Sequence, residues 1–192
     1  MPRSKEFDRD AVLERAVELF WSRGYEATSI GDLTEHLGIG RQSLYDTFGD
    51  KRALYLKALA CYRDQTNGAM QRMFETAPSV KAGFGKLLHG MAGETREQHD
   101  RGCLLLSANL QRDTRDAVVT NFLRDNEARV EAIFESALRR AQKRGELPAK
   151  ENARALARFF VVTIQGMRAL ARLKSDRKAL AQVADVALSV FG

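Results

Sequence analysis

Proline is scarce in this chain. Pro2, Pro78 and Pro148 are the only three among 192 residues, so long stretches rich in Ala, Leu, Arg and Glu meet no strong helix breaker. The expected fold class is all-α. Cysteine is scarcer still: Cys61 and Cys103 lie far apart and lack CxxC spacing, which argues against a disulfide framework or a zinc ribbon and fits a reducing compartment. The three histidines, His36, His89 and His99, form no metal-ligand pattern, and no metal or cofactor is expected. Long apolar runs are missing too. The longest, Phe159 to Ile164, is far too short to cross a bilayer, and the lead Met1-Pro2-Arg3-Ser4-Lys5 runs into charged residues. The chain reads as soluble and cytoplasmic, with no membrane partner.

Charge is present but unevenly placed. The net charge is +6, yet residues 1 to 60 hold 9 Lys+Arg against 10 Asp+Glu, while residues 61 to 192 hold 22 against 15. Bulk charge therefore does not mark a nucleic-acid-binding end. Any such end must rest on the placement of a few basic and polar groups.

Helical spacing runs from Asp8 to Arg23 through Val12, Ala16, Leu19 and Phe20, and Gly24 supplies a stop. Ser29-Ile30-Gly31-Asp32 reads as a helix start, with the Ser29 hydroxyl on the backbone three residues on; Thr28 is the alternative cap. This second helix buries Ile30, Leu33 and Leu37 and ends at Gly38. The segment from Gly40 to Phe48 is too short to be helical alone, but Leu44 and Phe48 anchor it four apart. Two short helices around Gly38, with Ile39 plugging the gap, form a helix-turn-helix pattern. A much longer helix begins at Lys51 with Leu54, Ala58, Cys61 and Tyr62 on one face. Beyond Pro78, helices are expected over about 80–98, 103–111, 115–144, 151–173 and 176–191. The glycines at 83, 85, 90 and 93 make the first of these either the loosest or the most closely packed.

At Ala11 to Leu59 the chain resembles the TetR (tetracycline-repressor) family. The resemblance rests on Leu19-Phe20-Trp21-Ser22-Arg23-Gly24-Tyr25, Ala27-Thr28-Ser29-Ile30, Leu37-Gly38-Ile39 and Leu44-Tyr45-Asp46-Thr47-Phe48-Gly49-Asp50-Lys51. It implies a three-helix DNA-binding module at 1–52 and a helical ligand-sensing and dimerisation domain at 53–192. It further implies a recognition helix at 40–48, with Tyr45 and Lys51 on phosphates. The residue types agree: Arg41, Gln42, Ser43 and Thr47 suit base edges or phosphates, and Thr28 and Ser29 stand at a helix N-terminus. Many members have serine where this chain has Gly40, so here the recognition helix lacks a hydroxyl cap.

The resemblance also implies a cavity among the later helices and a homodimer through the last two, where Leu156, Phe160, Val161, Ile164, Leu180, Val183, Ala187, Leu188 and Phe191 are apolar. Tyr62, Phe74, Met91, Cys103, Asn109, Phe122 and Gln165 are the candidate cavity residues, because a pocket needs apolar walls and a few orienting polar groups. Cys103 carries a second reading. Arg96, His99 and Arg101 lie just upstream, and positive charge favours a reactive thiolate that senses electrophiles or oxidants. Catalytic patterns are thin: Ser175-Asp176-Arg177-Lys178 matches SxxK without its companion motifs, and Gly83-Phe84-Gly85-Lys86 lacks phosphate-loop spacing. The expectation is a ligand-responsive regulator of double-stranded DNA, set against a helical enzyme or an adaptor using the last two helices.

Overall fold

The computed structural model describes residues 7–113 and 115–192; the lead Met1–Lys5 lies outside them. Among the described residues ten α-helices run in the order α1 Arg9–Arg23, α2 Ile30–Leu37, α3 Arg41–Phe48, α4 Lys51–Thr76, α5 Val80–Ala92, α6 Arg96–Arg101, α7 Leu104–Gln111, α8 Ala117–Lys143, α9 Ala153–Leu173 and α10 Arg177–Leu188, closed by a short 3-10 turn at Ser189–Phe191. No strand occurs among the described residues.

Caps explain most of the boundaries. Asp8, Ser29, Asp50, Ser79, Thr95, Asp116, Asn152 and Asp176 each accept a backbone N–H at a helix start, satisfying donors that the first turn otherwise leaves orphaned. Ser29 takes the α2 cap, and with Asp32 forms a reciprocal capping box. Gly38 adopts φ +66°, the left-handed geometry that turns α2 into α3. Gly40 offers no side-chain cap, as its identity requires.

One expected helix divides. The stretch 80–98 breaks at Gly93–Thr95, because Thr95 and Gln98 form a capping box that starts α6 as a separate element. The glycine question resolves toward close packing at one position: a methyl at Gly83 would stand 2.7 Å from the Phe74 ring.

Two cores form. Helices α1–α3 and the first half of α4 enclose Val12, Phe20, Leu33, Leu37, Leu44, Phe48, Leu54 and Leu59, and this core also takes Leu104, Leu105, Ala108, Val119 and Leu123 from α7 and α8. The second core, of α5, α8, α9, α10 and the end of α4, is built around Phe84. Its ring stacks on Phe160 at 3.8 Å and meets Phe74, Phe134 and Phe191 at 4.7, 5.2 and 5.7 Å. Helices α4 and α8 thus belong to both cores, while α7 joins the first.

Candidate DNA-binding helix and sensing cavity

Helix α3 is amphipathic in the strict sense that Leu44, Thr47 and Phe48 face inward while Arg41, Gln42, Tyr45 and Asp46 are exposed. Its outer face is ordered by its own side chains. The Arg41 guanidinium lies 5.8 Å from the centre of the Tyr45 ring, and Gln42 Nε2 donates to Asp46 Oδ1 at 2.8 Å. Ser43 is half-buried at the edge. Lys51, the first residue of α4, holds its ammonium 4.2 Å over the Tyr25 ring. The α3 C-terminus is closed by Lys57, whose ammonium donates to the Phe48 carbonyl at 3.0 Å.

Two residues placed on the DNA side by sequence have buried side chains. Thr28 is fully buried and donates its hydroxyl to the Gly24 carbonyl at 2.7 Å, so that hydroxyl closes the α1–α2 turn. Thr47 falls three residues after Leu44, which turns it onto the buried stripe of α3, where its hydroxyl has no hydrogen-bond partner. An unsatisfied buried hydroxyl costs roughly 1–3 kcal/mol. Thr47→Val is therefore expected to keep or raise stability, by up to about 1 kcal/mol in denaturant titration, and to leave DNA affinity unchanged. A loss of affinity would return Thr47 to the interface.

A cavity of about 410 Å³ opens among α4, α5, α7, α8 and α9, within the size range of small-molecule sites. Its apolar walls come from Met70, Leu87, Met91, Leu106, Val161 and Ile164. Polar groups enter from Tyr62, Thr66 and Asn67 on α4, from Cys103 and Asn109 at α7, from Thr120 and Asn126 on α8, and from Gln165 on α9. Asn67 donates to Asn126 across the cavity floor at 3.2 Å. Of the sequence candidates, Tyr62, Met91, Cys103, Asn109 and Gln165 line this space.

Phe74 and Phe122 do not. Phe74 lies one helical turn past Met70 and is drawn into the Phe84 cluster, 4.7 Å from that ring and 5.6 Å from Phe134. Phe122 packs against the N-terminal core with Arg63 above its ring at 4.8 Å. The arginines Arg112 and Arg168 line the cavity and were not foreseen, because a charged side chain gives no apolar periodicity to betray it.

Around Cys103 the upstream cations are committed elsewhere. Arg96 pairs with Asp100 at 2.8 Å, the Arg101 guanidinium sits 3.8 Å over the Trp21 ring, and the buried His99 ring is bonded to Ser175 Oγ at 2.6 Å and the Met91 carbonyl at 2.9 Å. Both cysteines are free thiols. Burial pushes the Tyr62 hydroxyl well above its ordinary pKa, with Cys103 beside it adding to the shift. That phenol stays neutral and available as a hydrogen-bond donor. Among the described residues no cluster of His, Cys, Asp and Glu has the makings of a metal site, and no helix is long and apolar enough to cross a membrane.

Two joints tie the cavity walls to the N-terminal module. The Trp21 indole N–H on α1 is shared between the carbonyls of Arg101 and Gly102, at 3.1 and 3.2 Å, directly before Cys103. Arg52 near the start of α4 makes a two-pronged ion pair with Asp116, the cap of α8, at 2.9 and 2.6 Å. Those hydrogen bonds lower the Asp116 pKa from its ordinary 3.8 to about 2. A depressed carboxyl pKa stabilises the fold fully above the ordinary carboxylate range, and the benefit disappears as pH falls from 3.8 toward about 2. Asp116→Asn keeps a capping side chain and removes the charge. Its stability deficit is expected at neutral pH and should close in acid; a deficit constant with pH would assign Asp116 to capping alone.

Matches to known proteins follow this architecture. Residues 12–58 match the bacterial regulatory proteins of the tetR family, and residues 80–187 match the tetracyclin repressor-like C-terminal domain. The chain is 34% identical over its full length to the whole of the HTH-type transcriptional regulator YezE of Bacillus subtilis (strain 168). It belongs to the TetR family. Among TetR proteins, the HTH-type transcriptional repressor ComR of Escherichia coli (strain K12) is 33% identical, the match covering 98% of this chain and 91% of ComR. The solved structure of the TetR regulator CifR, as a cysteine mutant complexed with 26-bp double-strand operator DNA, is 32% identical and superposes with a TM-score of 0.87 over 99% of this chain and 100% of that one. The chain is accordingly a TetR-family transcriptional regulator, and neither the fold nor its relatives are those of an enzyme.

Proposed function

We propose that this regulator is a cytoplasmic homodimeric repressor that holds a palindromic operator and lets go when a small molecule enters the cavity. The observation that carries the reading is the pairing of an exposed polar recognition helix with an unpartnered apolar face at the opposite end of the chain. On α9, Phe159, Val162, Leu170 and Leu173 are exposed at helical spacing, and Val183 and Val186 on α10 and Val190 in the C-terminal turn continue the face. Gly166 lies in the middle with open space above it, which permits close approach of a second copy. Most residues first read as the dimer surface are instead this chain's own core: Phe160, Val161, Leu180, Ala187 and Leu188 are buried. The dimer therefore uses the faces one step around each helix.

A dimer fixes the separation of two recognition helices, as two half-sites about 34–36 Å apart, or a multiple of that, require. Arg41 and Gln42 then read base edges, while Ser29, Ser43, Tyr45 and Lys51 hold phosphate. CifR bound to operator DNA supports this mode. A ligand in the cavity acts through its different affinity for the two spacings, passed along the Trp21 and Arg52–Asp116 joints. In this reading Cys103 is a wall residue.

The double variant Val162→Glu with Val186→Glu places four charges in the dimer face. It should sediment as a folded monomer and lose operator affinity by more than about 100-fold, since a half-site contact alone forfeits the second module's binding energy. A variant that remains dimeric, or binds undiminished as a monomer, would overturn the assignment.

A further inference from the structure

Many of the described arginines pair with carboxylates: Arg52 with Asp116, Arg154 and Arg158 with Glu131, Arg139 with Glu135, Arg115 with Asp113. Arg112 is different. It is half-buried at the cavity wall, and no carboxylate lies within ion-pair distance of it among the described residues. The acidic groups nearest in sequence, Asp113 and Asp116, already belong to Arg115 and Arg52.

The Arg112 guanidinium is held by neutral acceptors instead. Nη1 donates to the carbonyl and the Oδ1 of Asn109, at 2.5 and 2.6 Å, and Nε donates to Thr120 Oγ1 at 3.3 Å. Nη2 makes no hydrogen bond among the described residues. Asn109 and Thr120 thus orient a planar cation that has no carboxylate in ion-pair contact among the described residues. The other charges at this wall are accounted for. Arg168 faces Glu94 at 3.5 Å, while Arg124 and Glu127, of opposite sign, are both exposed on α8.

A half-buried cation without a counter-charge is costly, and a ligand that brings the missing oxyanion recovers that cost on binding. Met70, Leu87, Met91, Val161 and Ile164 offer only apolar contact to the remainder of the molecule. We infer that the effector is an apolar compound ending in a single oxyanion head, such as a carboxylate, with Arg112 as its counter-ion; this rests on the cavity being the effector site. Arg112 also lines the cleft where Tyr25, Arg52, Tyr55 and Asp116 meet. An anion drawn to it acts at the joint that carries the start of α4.

The test is calorimetric titration of the full-length protein with three ligands of the same chain: decanoate, 1-decanol and decyltrimethylammonium. Decanoate should bind at least roughly tenfold tighter than the alcohol, the yield of one charge-assisted hydrogen-bonded pair, and the cation should bind worst. Arg112→Gln should bring decanoate down to the level of the alcohol and leave the alcohol unchanged, while Arg112→Lys, which keeps the charge, should retain most of the preference. Val161→Trp, which fills the cavity, should abolish all binding. Alcohol or cation binding as tightly as decanoate, or a decanoate preference that survives Arg112→Gln, would overturn the anion assignment and leave the cavity as a site. Binding by none of the three, or binding that persists in Val161→Trp, would overturn both.

Discussion

Phe84→Ala is expected to cost about 3–5 kcal/mol of stability, the range for deleting a fully buried phenylalanine that the structure cannot close over. Phe84 has no exposed surface and touches four other rings: Phe74, Phe134, Phe160 and Phe191. These come from α4, α8, α9 and the C-terminal turn, so one truncation loosens four of the elements around the second core. Against a typical total of about 5–15 kcal/mol the loss is severe. At about 2–4 °C per kcal/mol for a chain of this size, the midpoint should fall by roughly 6–20 °C. The comparison must be made at matched protomer concentration, because the proposed dimerisation couples midpoint to concentration. A fall of less than about 2 °C would mean that the aromatic cluster is not the centre of the core.

The second large effect lies at the opposite end. On the proposed reading Arg41→Ala removes one base contact from each half-site, at about 1–3 kcal/mol apiece, so the proposed dimer should lose roughly 30-fold to about 20,000-fold in operator affinity. The loss should be confined to the specific site and accompanied by relaxed preference at the base that Arg41 reads. Gln42→Ala should act the same way at a neighbouring base, and should also free Asp46 from its hydrogen bond. Lys51→Ala should behave differently, weakening all duplexes alike and lowering the salt slope by about one per half-site. Folding and dimerisation should be untouched, since Arg41 and Gln42 are exposed and lie in neither core. Equal loss on specific and random duplex for Arg41→Ala would reassign it to phosphate.

The N-terminal module was legible because its punctuation is local. Gly24, Ser29, Gly38 and Gly49 each mark a boundary by their own chemistry, and Leu44 with Phe48 marks the buried face of α3. The burial of Thr47 was legible as well, had helical phase been weighed above hydroxyl chemistry: it stands i+3 from Leu44. The break between α5 and α6 was also written in the sequence, as the Thr95–Gln98 capping box, but the continuing apolar spacing through Met91 hid it.

The cavity was only half legible. Tyr62, Met91, Cys103, Asn109 and Gln165 stand at its wall, yet Phe74, of the same residue type one would choose for a pocket, was taken by an aromatic cluster assembled from residues more than a hundred positions apart. Arg112 gave no signal at all, because its meaning depends on which carboxylates other arginines have already claimed. The proposed dimer face was only partly legible for a related reason. The strongest apolar positions on α9 and α10 are consumed by the chain's own core, and the weaker stripe beside them is what remains exposed.

The central claim is that this chain reads a two-fold DNA site, and selection of bound sequences from a random double-stranded DNA pool, at stated salt, tests it most directly. The account predicts strong enrichment of a palindrome whose half-sites lie about one helical turn, or a multiple of it, apart. Enrichment of a single unpaired half-site, or none across a range of salt, would contradict it.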